Sequence, residues 1–431
     1  MLILIVLLLA ALAVMNYRLA HSLLYPPALY ATLWSLFLLA LFLSGNTFYP
    51  ISGDTMTVYL VGAVAFSVGG LLIHKRGMSS TQTGVNRRFV SMVLNGGLLL
   101  LVVALPFYWE YIQELAAASL SPDFWYGVRV ESIARSEEWS KKSLSALLLE
   151  NISAGGILFA LGAVADGART RWQKIRLALL VTIALAYQLM MAASSAAVFM
   201  ALAIIGIDAM RRRRLRIKAI LVGSLILAVS FSAVAIYLNK GATRSDASLL
   251  ENVGSLVELF EWYALGGVVS FDRVVQQPGS IPAAWSIWRV FMQTANKFGA
   301  GFDVQPLHAE YTMISPTMES NVYTIYFAYY PEYGLLGVMA IMVFLGAALT
   351  WIYRRAAAGN PKSILLYGLA LAGMALSGFN EQFFITLNFW FKALVFGLVL
   401  YRLPAFFRRT ANSISIYPQV RQGLYYRRSN V

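Results

Sequence analysis

Apolar runs close to the length that crosses a bilayer recur from one end of this chain to the other, and no other feature constrains its fold as much. A hydrocarbon core about 30 Å thick takes roughly 20 helical residues. Runs of that order occupy residues 1–16, 26–44, 56–74, 89–112, 146–165, 177–192, 196–210, 219–238, 334–353, 363–379 and 386–403. In lipid each backbone N–H and C=O must be satisfied within its own segment, so such runs become helices. The expectation is an all-α, polytopic membrane protein with about eleven transmembrane helices, a single membrane domain over residues 1–431. Composition agrees: 59% of residues are hydrophobic and 13% charged, far from a soluble domain. Without cysteine there are neither disulfides nor thiolate metal ligands, and His21, His74 and His308 are too scattered for a metal centre. No metal and no cofactor is expected.

Charge orients the chain. Alternate connections carry Arg18; Lys75, Arg76, Arg87 and Arg88; Arg169, Arg171, Lys174 and Arg176; RRRRLRIK at 211–218; Arg354, Arg355 and Lys362; and a tail with Arg402, Arg408, Arg409, Arg421, Arg427 and Arg428. They hold 24 of the 34 Lys and Arg residues, but only Asp166 and Asp208 of the 20 acidic ones. By the positive-inside rule this side is cytoplasmic, which leaves the N-terminus outside and the C-terminus, with a tail over 404–431, inside. The net charge of +14 is thereby read as topology, and nucleic acid is set aside as a partner. Residues 1–15 lack the basic n-region and the cleavage site of a secretion signal and are read as the first span. The break at MAASSAAVF is read as a hairpin between the sixth and seventh spans, because that keeps every later loop on the side its charge favours.

Two connections on the non-cytoplasmic side, 113–145 and 239–321, are too long to be mere links. In the larger one SLLENVGSLVELFEWY opens with capping-box spacing, Ser248 to Glu251. It puts Leu249, Leu250, Val253, Leu256, Val257 and Phe260 on one helical face. AAWSIWRVFMQTANKF interleaves Trp and Phe with Arg289 and Lys297. Both stretches suit helices lying along the membrane–water boundary.

No phosphate-binding Gly-rich loop, zinc helix or dinucleotide fingerprint occurs. The outer loops instead hold Arg129, Arg135, Arg244, Arg273 and Arg289 against an acidic and aromatic background. Guanidinium grips phosphate oxygens in pairs, and indole and phenol rings stack on sugar faces. Together these residue types point to a phosphorylated, glycosylated lipid; the same side chains also serve to snorkel, to pair with acids and to build an interfacial belt. His308 and Glu310 in PLHAEY are candidates for a general base. Lys392, inside the last span, suits either a functional or a snorkelling reading.

The stretch NVYTIYFAYYPEYGLLGV at 321–338 carries a resemblance. Asn321, Val322, Tyr323 and Thr324, followed by aromatics and then Glu332, Tyr333, Gly334 and Gly337, resemble the signature of Wzy-type O-antigen or oligosaccharide repeat-unit polymerases. YALGGVVSFDRVV at 263–275, YPPALYATLW at 25–34 and GVRVESIAR at 127–135 are similar to further patches of that family. One departure stands: where relatives carry a basic residue after a Ser-rich turn, Ser194 and Ser195 here precede Ala196 and Ala197. The likeness implies a GT-C-like, metal-independent glycosyltransferase of the bacterial inner membrane, working at the periplasmic face with its two long loops. It would move a growing glycan from undecaprenyl pyrophosphate onto an incoming lipid-linked repeat unit, alongside a chain-length regulator and a flippase. Arg129, Arg273 and Arg289 are implied to stabilise the leaving pyrophosphate, and His308, Glu310 or Glu332 to take the acceptor proton. Arg135, Asn321, Tyr323, Tyr330 and Tyr333 would hold substrate. Two alternatives remain open: a ligase that transfers glycan to lipid A core, and a transporter or flippase of lipid-linked oligosaccharide.

Overall fold

The computed structural model describes residues 1–74, 87–137, 143–167, 170–191, 194–216, 248–277, 287–304 and 311–414, with single positions between 218 and 236. Among these residues the chain is helical almost throughout. The helices are α1 (Leu2–Ala20), α2 (Pro26–Leu43), α3 (Gly53–His74), α4 (Arg87–Ala118), α5 (Phe124–Glu137), α6 (Leu144–Asp166), α7 (Arg171–Met190) and α8 (Ser194–Arg212). They continue with α9 (Leu249–Gln276), α10 (Arg289–Asn296), α11 (Tyr330–Ala357), α12 (Pro361–Ala375) and α13 (Leu387–Ile414). A two-residue antiparallel ladder pairs β1 (Thr312–Met313) with β2 (Glu319–Ser320), Thr312 opposite Ser320, and a 3₁₀ turn spans Ile325–Ala328. Among the described residues seven helices, α1 to α4, α6, α7 and α11, are long and apolar enough to cross a membrane. The chain thus has the make-up of a multi-pass membrane protein.

Local chemistry sets the boundaries. Pro26 and Pro27 open α2, where a missing N–H costs nothing, and Asn360 caps α12 ahead of Pro361. Thr170 and Gln173 form a reciprocal capping box on α7. At MAASSAAVF, α7 ends at Met190 and α8 begins at Ser194. Of the remaining expected spans, α12 and the apolar 387–400 part of α13 are shorter than the seven, α8 is not among them, and 219–238 lies almost wholly outside the described residues.

α3 and α11 pack backbone to backbone. A β-carbon on Gly69 would run into the Val343 carbonyl, and one on Gly346 into the Phe66 carbonyl. Such close approach is how helices associate where lipid removes the hydrophobic drive between them. Beside this pair lies a buried cluster of large rings: Tyr30 stacked on Phe66 at 4.4 Å, with Trp34 tilted against Tyr59 at 4.7 Å and against Tyr326 at 5.0 Å. Their polar tips are used. Tyr30 donates to the Tyr326 hydroxyl at 3.0 Å and Tyr59 to the Val268 carbonyl at 2.7 Å, which ties α2, α3, α9 and the 3₁₀ turn together.

Two expectations about the large loop change. The helix foreseen at SLLENVGSLVELFEWY does not stop there: α9 runs on to Gln276, and Leu265, Val268, Val269, Phe271, Val274 and Val275 in its second half are buried. Only the first half leaves its stripe outside, with Val253, Val257 and Phe260 exposed. The boundary helix expected around 283–298 is the short α10. In the 321–338 stretch the first turn of α11 is separated from the spanning part at Gly334. Its φ of 60° and ψ of −163° fall in a region that glycine alone occupies without strain.

Candidate functional site

The last turn of α9 sets two opposite charges side by side, one buried and one exposed. Asp272 is buried and its Oδ1 accepts from the Ser52 N–H at 2.7 Å, the Ser52 hydroxyl at 2.6 Å and the Thr55 hydroxyl at 2.6 Å, while Oδ2 accepts from Gln276. These donors lie at the start of α3, so the carboxylate caps that helix from a distant part of the chain and meets its positive end. Arg273, carried on this firmly anchored turn, is exposed and lines, together with Asp272, a cleft of about 520 Å³. Tyr49, Pro50, Gln276, Tyr311 and Thr312 complete its walls. The Tyr49 N–H donates to the Ile314 carbonyl at 2.8 Å, fixing one wall against the other.

Arg129 on α5 approaches the same rim. It is half-buried and faces the phenols of Tyr263 and Tyr311; burial pulls its pKa below the guanidinium value, and the two hydroxyls oppose that pull. The guanidinium nevertheless stays charged at neutral pH. Burial raises the Tyr263 phenol, and Tyr311 adds to the rise. Tyr263 has a second neighbour, for its ring stacks on Phe379 at 5.8 Å and borders a separate apolar hollow of about 300 Å³ with Phe37, Val198, Phe260, Ala264 and Leu376. Arg273 and Tyr311 thus line one cleft, Arg129 lies within electrostatic range of Tyr311 and Tyr263, and Tyr263 lines a separate apolar hollow. That combination suits a ligand with an anionic head and a hydrocarbon tail.

The other expected site residues are spread out. Arg135 is held by Glu131 at 2.8 Å and Glu114 at 3.1 Å, and these carboxylates raise its pKa. The pair is a strut between α4 and α5. Arg289 is buried at the start of α10 and is not among the residues lining the cleft. Glu332 and Tyr333 are half-buried in the first turn of α11, with the Tyr333 phenol beside Glu332 and the Trp288 indole. Tyr323 is buried, stacked on Phe327 at 4.2 Å and hydrogen-bonded to Thr312 at 2.8 Å, which puts it behind the cleft wall. Tyr330 meets the Phe271 ring edge-on at 5.8 Å, and Asn321 is exposed. His308 and Glu310 lie outside the described residues.

Sequence reasoning met Tyr263 only as the head of the 263–275 patch and did not single out Tyr311, Asp272 or Glu381. Glu381 is buried between α12 and α13. Its Oε1 accepts from the Tyr329 hydroxyl at 2.9 Å and the Phe383 N–H at 2.6 Å, and its Oε2 from the Ile385 N–H at 2.7 Å. Burial raises its pKa, and these donors act against the rise. A lone acid in the apolar setting of FNEQFF was the available signal for Glu381, and an acid directly before an arginine the signal for Asp272. No group of three His, Asp or Glu suited to a metal ion occurs among the described residues. No family model matches the chain, and neither a curated protein nor a solved structure matches it.

Proposed function

We propose that the protein is a glycosyltransferase that polymerises undecaprenyl-pyrophosphate-linked oligosaccharide repeat units at the periplasmic face of a bacterial inner membrane. In this reading the N-terminus is outside and the C-terminus inside. The observation that carries it is an open cleft lined by Arg273 and Tyr311, with Arg129 within electrostatic range of Tyr311 and of Tyr263, which lines an apolar hollow. The bond that breaks joins the anomeric carbon of the donor glycan to its pyrophosphate, and the bond that forms joins that carbon to a hydroxyl of the incoming unit. Negative charge collects on the departing pyrophosphate. Arg273 is reachable from solvent, and Arg129 is partly withdrawn from it, so the second acts in the lower dielectric and stabilises the developing charge more strongly. The acceptor proton passes to a base, with His308, Glu310 and Glu332 the candidates. Arg289 and Arg135 have structural surroundings and are assigned no contact with phosphate.

The test uses the purified full-length protein with a synthetic undecaprenyl-pyrophosphate repeat unit, with products resolved by size. A ladder is expected, and Arg129→Ala and Arg273→Ala should each lower its yield about 100-fold or more. Wild-type ladders from both variants would overturn the site. Transfer to lipid A core in place of a second repeat unit would show a ligase, and movement of the substrate across the membrane without covalent change a transporter.

A further inference from the structure

Exposed apolar surface gathers on α10 and the turn that follows it. Trp288, Phe291, Phe298 and Phe302 are 52%, 56%, 87% and 48% exposed. Trp288, Phe291, Met292 and Ala295 fall at the spacing of one helical face and, with Phe302, line an open hollow of about 460 Å³. The single polar group these five side chains own is the indole N–H of Trp288, and that indole lies against the Tyr333 phenol. A wall without donors or acceptors gives a sugar or a phosphate nothing to bind, whereas hydrocarbon loses nothing there.

Position agrees with chemistry. Tyr333 stands at the head of α11, one of the seven helices apolar enough to span, and Leu336, Met339 and Phe344 just below it are 79%, 39% and 60% exposed. The α10 surface therefore continues the flank that α11 turns towards lipid. A second copy of the chain is the weaker occupant. Four aromatic side chains of 150–250 Å² each, about half exposed, offer roughly 500 Å², short of the ~800 Å² per partner of a stable interface.

We propose that residues 288–302 are seated in the bilayer leaflet at the loop-bearing end of the molecule, and that the hollow over α10 takes a phospholipid acyl chain. This seat is separate from the cleft of Arg273 and does not rest on the reaction proposed for it. It holds the large loop to the membrane by contact with ordinary lipid.

The chain contains no cysteine, so Ala295→Cys and Phe298→Cys each give one labelling site in the full-length protein. With an environment-sensitive fluorophore attached, the variants are reconstituted in phosphatidylethanolamine–phosphatidylglycerol vesicles. Lipid brominated along its acyl chains should quench both sites by about half or more, and aqueous iodide should have little effect. Phe291→Asp changes an exposed position and should leave the melting temperature in place while cutting bromolipid quenching at 295 about twofold. Iodide quenching without bromolipid quenching, energy transfer between labelled copies, or quenching at 295 that ignores Phe291→Asp would each overturn the proposal.

Discussion

Arg129 and Arg273 carry the same charge in different settings, and the difference is testable. Arg273 stands in an open cleft where a lysine would keep the charge and lose the paired grip on phosphate, so Arg273→Lys should retain about a tenth to a hundredth of product yield in the ladder assay. Arg129, wedged by Tyr263 and Tyr311, should tolerate lysine less well, since an ammonium is more strongly hydrated and suffers more from burial. Asp272 acts through position. Removing it in Asp272→Ala leaves the Ser52 and Thr55 donors at the start of α3 unsatisfied and should cost about 3 kcal/mol, read as a lower melting temperature in detergent. The Arg135 bridges, by contrast, are partly exposed and worth at most about 1 kcal/mol.

Among the elements, α11 and its partner α3 decide how the bundle closes. Gly346→Leu would force the α3 and α11 backbones apart at the Phe66 carbonyl and should destabilise by about 1–3 kcal/mol or more, with loss of the sharp melting transition. Gly334→Ala meets no neighbouring atom, yet its positive φ should cost about 1–3 kcal/mol and straighten the break between the aromatic turn and the span. The aromatic turn at 321–333 shows how far residue chemistry alone reaches. Its tyrosines were legible as ring and hydroxyl chemistry at the head of a span. Which ones are core was not: Tyr326 and Tyr329 are fully buried, while Tyr330 and Tyr333 stay half-buried. Burial there depends on a 3₁₀ turn that eclipses side chains three apart, and no helical or strand period announces it.

For the whole molecule, the proposed orientation gives a direct check. Leu120→Cys, in the exposed link between α4 and α5, should react with a membrane-impermeant maleimide in intact spheroplasts, and Arg214→Cys only after permeabilisation. The reverse pattern would invert the molecule and remove the cleft from the periplasm.

Hydropathy alone, without help from packing, determined that the chain carries several helices of membrane-spanning length. Each helix satisfies its own backbone, so the information is local. Tertiary structure alone decided that the second half of α9 is buried in the core, that Asp272 caps a helix some 200 residues earlier, and that Arg129 comes within electrostatic range of Tyr311, a wall of the Arg273 cleft. Those pairings join segments far apart in the chain. They follow from which buried polar group finds which partner, and that is settled only when the helices have packed.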